Sequence, residues 1–483
     1  MNKLSTTIVF ADISRAFDRL SHRGLYAKLD LFGFSTAIKD WFYSFLTGRR
    51  QRTNVNGVFS HWSFTKAGVP QGSVLGPLIF LLMINDLPTK LTNDVRLFAD
   101  DTSILITHSP TIDPTDTIND DVNKLMTWAD SWLIDLNPTK TKCMSISYSN
   151  SFTIPSPSFR GTPIDIVSHH KHLGLILNDK MTWTDHIEYL TDKVARRIGI
   201  LRSLKYKLSR SCLRTVYVTH IRSILEYCDV IWDSCTSTQQ QGIEKLQRES
   251  IRIITGLPMF CCSENLYHES GFNTLAERRR QHRLTLFYKS IILGQCPIYF
   301  REIFPDFIRD TSTRNDRRLN TFCHFPVTRN LTFLRSFLPN TIIEWNDLPL
   351  GTRIAPSISI FKRLLRSPIT DIPILLELPR HPSIIYTRIK CRSSSLNAHL
   401  FKCNLVPSPL CACHTGVEDT FHYMFNCPHY DTQREILMLN LDEIGLVNFP
   451  IEVLFDCETH LNAEIIHRVQ AAVFKYIVST HRF

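Results

Sequence analysis

From residue 1 to about 180, short β-rich runs alternate with amphipathic stretches. The run TTIVFAD predicts a strand that ends at Asp12, and residues 16–33 (AFDRLSHRGLYAKLDLFG) predict a helix stopped by Gly33. Residues 50–68 hold two β-like runs with Asn56-Gly57 between them, a pair that favours a tight hairpin. A helical run follows Gly72 to about Ile84. Residues 95–107 (VRLFADDTSILIT) have apolar and β-branched residues on both sides of Ala99-Asp100-Asp101-Thr102. Two strands are expected there, with the aspartates at the tip of the turn. Strands and helices mixed with hairpins make an α+β region.

Beyond about residue 181 the period becomes helical. Ile187, Leu190, Val194, Ile198, Leu201 and Leu204 form one apolar stripe. Further helices are expected over about 211–232 and 239–255. Residues 301–400 are less regular, and residues 401–483 carry a group of cysteines and histidines. Four regions follow: 1–180, 181–300, 301–400 and 401–483.

A length of 483 residues suits about three domains, and 43% hydrophobic with 21% charged residues excludes disorder throughout. The most apolar run, Val74 to Ile84, is interrupted by Gly76 and Pro77 and falls short of the roughly 20 residues of a membrane helix. The first residues lack the apolar segment of a secretory signal. No membrane partner is expected, and the expected location is intracellular, in nucleus and/or cytoplasm. Fourteen cysteines, mostly scattered, suit reduced thiols or metal ligands in that setting.

Pairing the strand that ends at Asp12 with the hairpin tipped by Asp100 and Asp101 would gather three carboxylates. Such a group repels itself unless a cation sits among its members. Hard oxygen ligands suit Mg2+ or Mn2+, and two such ions about 4 Å apart clamp the attacking and leaving oxygens of phosphoryl transfer. Taken singly, each element is explained as well by a helix cap or an ordinary turn.

The elements occur together, in order: FADISRAFDRLSH (10–22), AGVPQGSVLGPLIFLLMINDLP (67–88), LFADDT (97–102), LNPTKTKCMSIS (136–147) and HLGLILNDKMTWTDHI (172–187). This succession resembles the palm motifs of reverse transcriptases from non-LTR (LINE-type) retrotransposons, most like the Jockey and CR1 groups. The resemblance implies a right-hand polymerase palm, an antiparallel sheet with helices, followed by a helical thumb and a small C-terminal Cys/His region. It implies RNA-directed DNA polymerisation by two Mg2+ (or Mn2+) ions, with RNA template, DNA primer and dNTPs as partners. Asp12 and Asp100 would hold the ions, with Asp101 beside them. Phe17 would stand under the incoming sugar and exclude a ribose 2′-hydroxyl; the alternative is a core aromatic. Gln71 and Gly72 would touch the template and nascent base pair, where an ordinary turn competes. Lys140 would approach the triphosphate, and Leu173-Gly174 would form the primer-grip turn. Members of the family carry a fingers subdomain upstream, for which the eleven residues before Asp12 leave no room, so an N-terminally truncated copy is expected and its activity stands open.

Residues 193–214 hold Lys193, Arg196, Arg197, Arg202, Lys205, Lys207, Arg210 and Arg214 without one acid, most of the chain's net +10. Beside a palm, such a run would track a phosphate backbone; alone, it is a solvated helix face. Near the end, Cys411, Cys413, His422 and Cys427 are spaced C-x-C-x8-H-x4-C, three thiolates and an imidazole that satisfy tetrahedral Zn2+. His414 or His429 could substitute. The group resembles the C-terminal cysteine-histidine motif of LINE-type proteins. A rival reading is a non-catalytic nucleic-acid-binding remnant of a mobile element.

Overall fold

The computed structural model describes residues 4–149, 152–298, 323, 334–366, 379–455 and 463–483. It divides into two compact units, Met1–His186 and Ile187–Phe483.

The first unit is built on a five-stranded sheet. Its strands are β1 (Ser5–Ala11), β6 (Asp94–Phe98), β7 (Asp101–His108), β8 (Lys142–Ile146) and β11 (Asp165–Ile166), in the order β11-β8-β1-β7-β6. All neighbours are antiparallel except β11 and β8. Four short strands, β2 (Arg50–Gln51), β3 (Asn54–Val55), β4 (Val58–Phe59) and β5 (Ser63–Phe64), form nested ladders, β2 with β5 and β3 with β4. Asn56 and Gly57 both take positive φ, +50° and +87°, as a two-residue hairpin turn of the expected type requires. β9 (Ser158–Phe159) pairs with β10 (Thr162–Pro163), and β12 (His169–His172) with β13 (Leu175–Asn178).

One face of the sheet is covered by helices. Val9, Ala11, Ile104, Ile106 and Cys143 are buried in one core with Leu25 and Leu29 of α1 (His22–Leu31), Ile79, Phe80 and Met83 of α3 (Leu75–Ile84), and Val122, Leu125 and Trp128 of α4 (Thr115–Trp132). α2 (Thr36–Leu46) adds Phe42 and Leu46. The periodicity argument leaves α2 and α4 unassigned, although Ile118, Val122, Leu125 and Ala129 follow a helical spacing. α1 begins six residues later than expected. The Ser21 hydroxyl accepts from the Gly24 N–H, an N-cap that starts the helix there, and residues 14–20 remain turns. Its end is as read: Gly33 is left-handed (φ +74°) and the Phe34 N–H reaches the Leu29 carbonyl, a glycine C-cap. Lys28 is buried, donating to the Met83 carbonyl and to Asp86 beneath the Trp128 and Trp132 rings.

The second unit is helical. In α5 (Thr184–Leu204) Ile187, Leu190, Val194, Ile198 and Leu201 are all buried, as their spacing predicts. The expected helix over 211–232 is divided into α6 (Arg210–Val216), a π turn (Tyr217–Arg222), α7 (Ser223–Leu225) and α8 (Asp229–Trp232), with Cys228 left-handed between the last two. α9 (Ser237–Thr255) opens on a Thr236/Gln239 capping box, two residues before the expected start, and closes on left-handed Gly256. α10 (Ser263–Ser270) and α11 (Leu275–Ile291) follow. Parts of 301–400 lie outside the described residues. Further on, helices Arg380–Lys390, Asp431–Asp442 and Ala463–Ser479 enclose a core around Tyr386, Tyr423, Leu441 and Val473. No helix among the described residues is long and apolar enough to cross a membrane.

Candidate active site

Period-2 alternation puts Val9 and Ala11 on the helix-covered face of the sheet, and hence Phe10 and Asp12 on the other. The last β1–β7 pair is Ala11 with Thr102, so Asp12 and Asp101 stand opposite one another one step further on. Asp100 is beside them in the two-residue turn between Phe98 and Asp101, where Ala99 takes φ +53°. A non-glycine residue held there costs about 1 kcal/mol or more. Burial, then the charge of Asp100 and of Asp12, push the Asp101 carboxyl up, while His172 pulls it down. Asp101 therefore senses the charge of both other acids. Hard oxygen donors that raise one another's affinity for a proton suit a divalent ion of the Mg2+ kind.

The segment after α4 brings the lysine. Ile13 bridges Leu136, and the Asn137 N–H donates to the Asp12 carbonyl at 2.8 Å. The Asn137 side chain then accepts from the N–H groups of Thr139 and Lys140, closing a turn that sets Lys140 Nζ 3.8 Å from Asp12 Oδ2. Lys142 is occupied elsewhere, 2.6 Å from Asp165. Of the two lysines in the motif, Lys140 is thus the one at the site.

Phe17 is half-buried, its ring 4.9 Å from that of Phe80. Its turn and the loop carrying Gln71 are tied together. The Gly68 N–H donates to the Leu20 carbonyl and the Val69 N–H to the Phe17 carbonyl, both at 2.8 Å. Gln71 Nε2 donates to Asp18 Oδ1 at 2.8 Å. Gln71 and Gly72 are exposed, with Gly72 at φ +79°. Sequence reasoning missed Gly68, the first glycine of AGVPQG: at φ +81°, a Cβ on it would lie 2.5 Å from the Asp18 carbonyl oxygen. Gly68→Ala should therefore destabilise the first unit by more than about 2 kcal/mol, read as a lower urea midpoint with unchanged slope. An unchanged midpoint would show that the two loops part at no cost.

The β12–β13 hairpin turns through Leu173 and Gly174, at φ +47° and +82°. It lies on the Asp12 face. The His170 ring stacks on Phe10 at 4.0 Å, His172 is 5.2 Å from the same ring, and His172 Nε2 is 3.4 Å from Ser103 Oγ. These histidines, which motif reading passes over, hold Gly174 at the aspartate end of the sheet.

In the second unit Arg196 and Lys207 are exposed and Lys193, Arg197 and Lys205 half-buried. Arg202 pairs with Glu249. Arg210 is a correction. It is 1% exposed, bonded to the Glu269 carbonyl at 3.1 Å and the Thr387 hydroxyl at 3.3 Å, and burial lowers its pKa to about 10. Phosphate cannot reach it. Arg214 is likewise turned inward, over the Phe272 ring and on the Ser270 carbonyl. The basic run is thus less of a surface than its composition suggests.

Cys411, Cys413, His422 and Cys427 converge, with one ligand atom from each within 4.8 Å of all the others. Cys411 Sγ and Cys427 Sγ are 3.7 Å apart, and Cys413 Sγ is 3.2 Å from His422 Nε2. A tetrahedral zinc with Zn–S bonds of about 2.3 Å has S–S edges of about 3.8 Å. The donor set and its spacing fit Zn2+. The Leu410–Val417 bridge and the Cys411 N–H bond to the Gly416 carbonyl shape the first half; Asp419 caps the turn at the His422 N–H. His414 and His429 are not in the group.

Residues 1–191 match the family model described as reverse transcriptase (RNA-dependent DNA polymerase). Among curated proteins, the chain is 29% identical over 287 residues to the probable RNA-directed DNA polymerase from transposon BS of Drosophila melanogaster, covering 57% of this chain and 32% of that protein. It is 29% identical over 290 residues to the RNA-directed DNA polymerase from mobile element jockey of the same organism, covering 57% and 31%. The chain thus spans about a third of the length of these relatives. Among solved structures, a telomerase from Candida albicans in complex with a TWJ fragment of telomeric RNA aligns with TM-score 0.25 at 14% identity, over 60% of this chain and 50% of that one, a likeness too slight to bear on the fold. Residues 1–191, which carry the aspartate motifs at the ends of β1 and β7, are thus similar to reverse transcriptases, and the chain resembles the polymerases of the jockey and BS elements over part of their length.

Proposed function

We propose that the chain is the polymerase part of a non-LTR retrotransposon protein, extending a DNA primer 3′-hydroxyl with dNTPs on an RNA template. The observation that carries the reading is that Asp12, Asp100 and Asp101 lie at one end of the sheet, with Lys140 Nζ 3.8 Å from Asp12. Asp12 and Asp100 would hold two Mg2+ (or Mn2+) ions, with Asp101 adjusting the local charge. When bound, the ions favour the deprotonated primer hydroxyl and neutralise charge on the leaving pyrophosphate. Lys140 would meet the triphosphate and hand a proton to pyrophosphate, a role its nearness to Asp12 supports. Gln71, at the tip of its loop, faces the nascent pair, and Gly174 lets the backbone approach the primer end closely. Residues 1–180 serve as palm, 181–300 as thumb, and 401–483 as a Cys/His region held by Zn2+; 301–400 has no assigned role. Lys193, Arg196, Arg197, Arg202, Lys205 and Lys207 would follow the primer–template backbone by charge alone.

The test is extension of an annealed primer on RNA by the purified chain with Mg2+. Template-dependent dNTP addition supports the reading, and nucleic-acid binding with none would leave the remnant reading. Phe17 gives a second measure. Because its ring is packed on one side by Phe80, Phe17→Ala should open space at the sugar and shift the dNTP-to-rNTP preference towards rNTPs by about 10- to 100-fold. An unchanged ratio would make Phe17 a core residue only.

A further inference from the structure

The second unit holds a cleft of about 780 Å3 between the end of α5, the C-terminal half of α9 and helix Arg380–Lys390. Its floor is apolar, from Ile253, Leu257, Pro258 and Ile384. Its walls carry Lys205, Lys245, Arg252, Arg380 and Arg388, with Arg202 and Glu249 at one side. Arg202 pairs with Glu249; among the described residues no carboxylate pairs with the other five cations. Tyr206, 85% exposed, and Met259, 76% exposed, stand at the cleft with no core over them.

A structural role explains part of this. Arg380 donates to the Ile253 and Ile254 carbonyls at 2.7 and 3.0 Å, and Arg388 to the Gly256 carbonyl at 2.8 Å, so both cap the C-terminus of α9. Gly256 itself lets the helices touch: at φ +76°, a Cβ there would lie 2.6 Å from Ile384. Capping uses two of the five N–H donors of Arg380 and one of Arg388, and it offsets their charge only by the partial charge of the helix end. Lys205, Lys245, Tyr206 and Met259 have no part in it.

We propose that this cleft binds single-stranded RNA, with a base stacked on Tyr206 and against Met259 over the apolar floor and adjoining phosphates on Lys205, Lys245 and Arg252. A cationic groove beside an exposed aromatic is how an unpaired strand is held without sequence readout. A duplex keeps its bases stacked inside and offers no face to Tyr206. The one acid selects among strands. Glu249 repels phosphate, and its carboxylate has lone pairs to spare after the Arg202 bond; a ribose 2′-hydroxyl supplies a donor for them, and deoxyribose does not. The ligand class follows from the reading of the chain as a polymerase on RNA, but the cleft contains none of the proposed catalytic residues.

The test is fluorescence anisotropy of the full chain with labelled 12-nucleotide RNA and DNA of one sequence. Tyr206→Ala should weaken RNA binding about tenfold or more. Lys245→Ala should lower the slope of log K against log salt by about 0.7. Both sites are exposed and outside the helix caps, so folding is spared. Glu249→Gln should narrow the RNA-over-DNA preference. The proposal is overturned if neither Tyr206→Ala nor Lys245→Ala changes binding, or if a polyglutamate 12-mer competes as well as RNA, which would make the cleft a site for an acidic protein segment. An RNA-to-DNA ratio untouched by Glu249→Gln overturns the choice of RNA. Asp100→Ala should bind the 12-mer like the parent chain, so loss of extension and loss of cleft binding are read separately.

Discussion

Asp100→Ala should reduce dNTP incorporation by at least about 10^3-fold without lowering the stability of the first unit. Asp100 sits in a two-residue turn, outside the ladder pairs that end at Phe98–Asp101, so no sheet hydrogen bond depends on its side chain. Its loss should in fact relieve the fold. The Asp101 carboxyl is pushed up by burial first and by Asp100 next. A raised carboxyl favours the protonated form, so its ionisation costs stability at neutral pH, and that cost disappears as pH falls through the folded-state value. Asp100→Ala should therefore hold or slightly raise Tm at pH 7, with a smaller gain near pH 4. Activity lost together with several degrees of Tm would mean that Asp100 is structural. Activity retained would remove the proposed metal pair.

Cys427→Ser should unfold the region around 397–430. Its thiol is wholly buried and burial pushes it up to about 12, so without a metal it is protonated at neutral pH, and metal binding must release that proton. The backbone of Cys427 is held on both sides: its N–H bonds the His422 carbonyl and its carbonyl accepts from Arg434. Structural zinc is worth on the order of 10 kcal/mol in small domains. The parent chain should carry one zinc, and the variant none, with rapid proteolysis between residues 403 and 430. A chelator should reproduce the effect. Dithiothreitol should not, which separates zinc from a Cys411–Cys427 disulfide. A zinc-free parent that resists protease would end the metal reading.

The positions of the aspartates were legible because strand and turn signals are local: β-branched runs flank a short polar tip, and alternation fixes the face. The α5 stripe was legible for the same reason. Contacts distant in sequence were not. Nothing in NPTKTK distinguishes Lys140 from Lys142 until Asp165, far along the chain, takes the second. Arg210 reads as surface in a run of eight cations, yet Glu269 and Thr387 supply carbonyl and hydroxyl partners that allow its burial. The start of α1 was misplaced because residues 14–20 have helical composition, and the long-range bonds from Gly68 and Val69 to Leu20 and Phe17 claim the carbonyls a helix would have used.

Those same bonds have a bearing on fidelity. Phe17 is the proposed judge of the sugar and Gln71 of the base pair, and two backbone bonds together with the Gln71–Asp18 contact join their supports. A nucleotide that displaces one must displace the other. Errors of pairing and errors of sugar choice would then rise together in any variant that loosens the joint, and mutational drift could not relax one kind of accuracy while preserving the other.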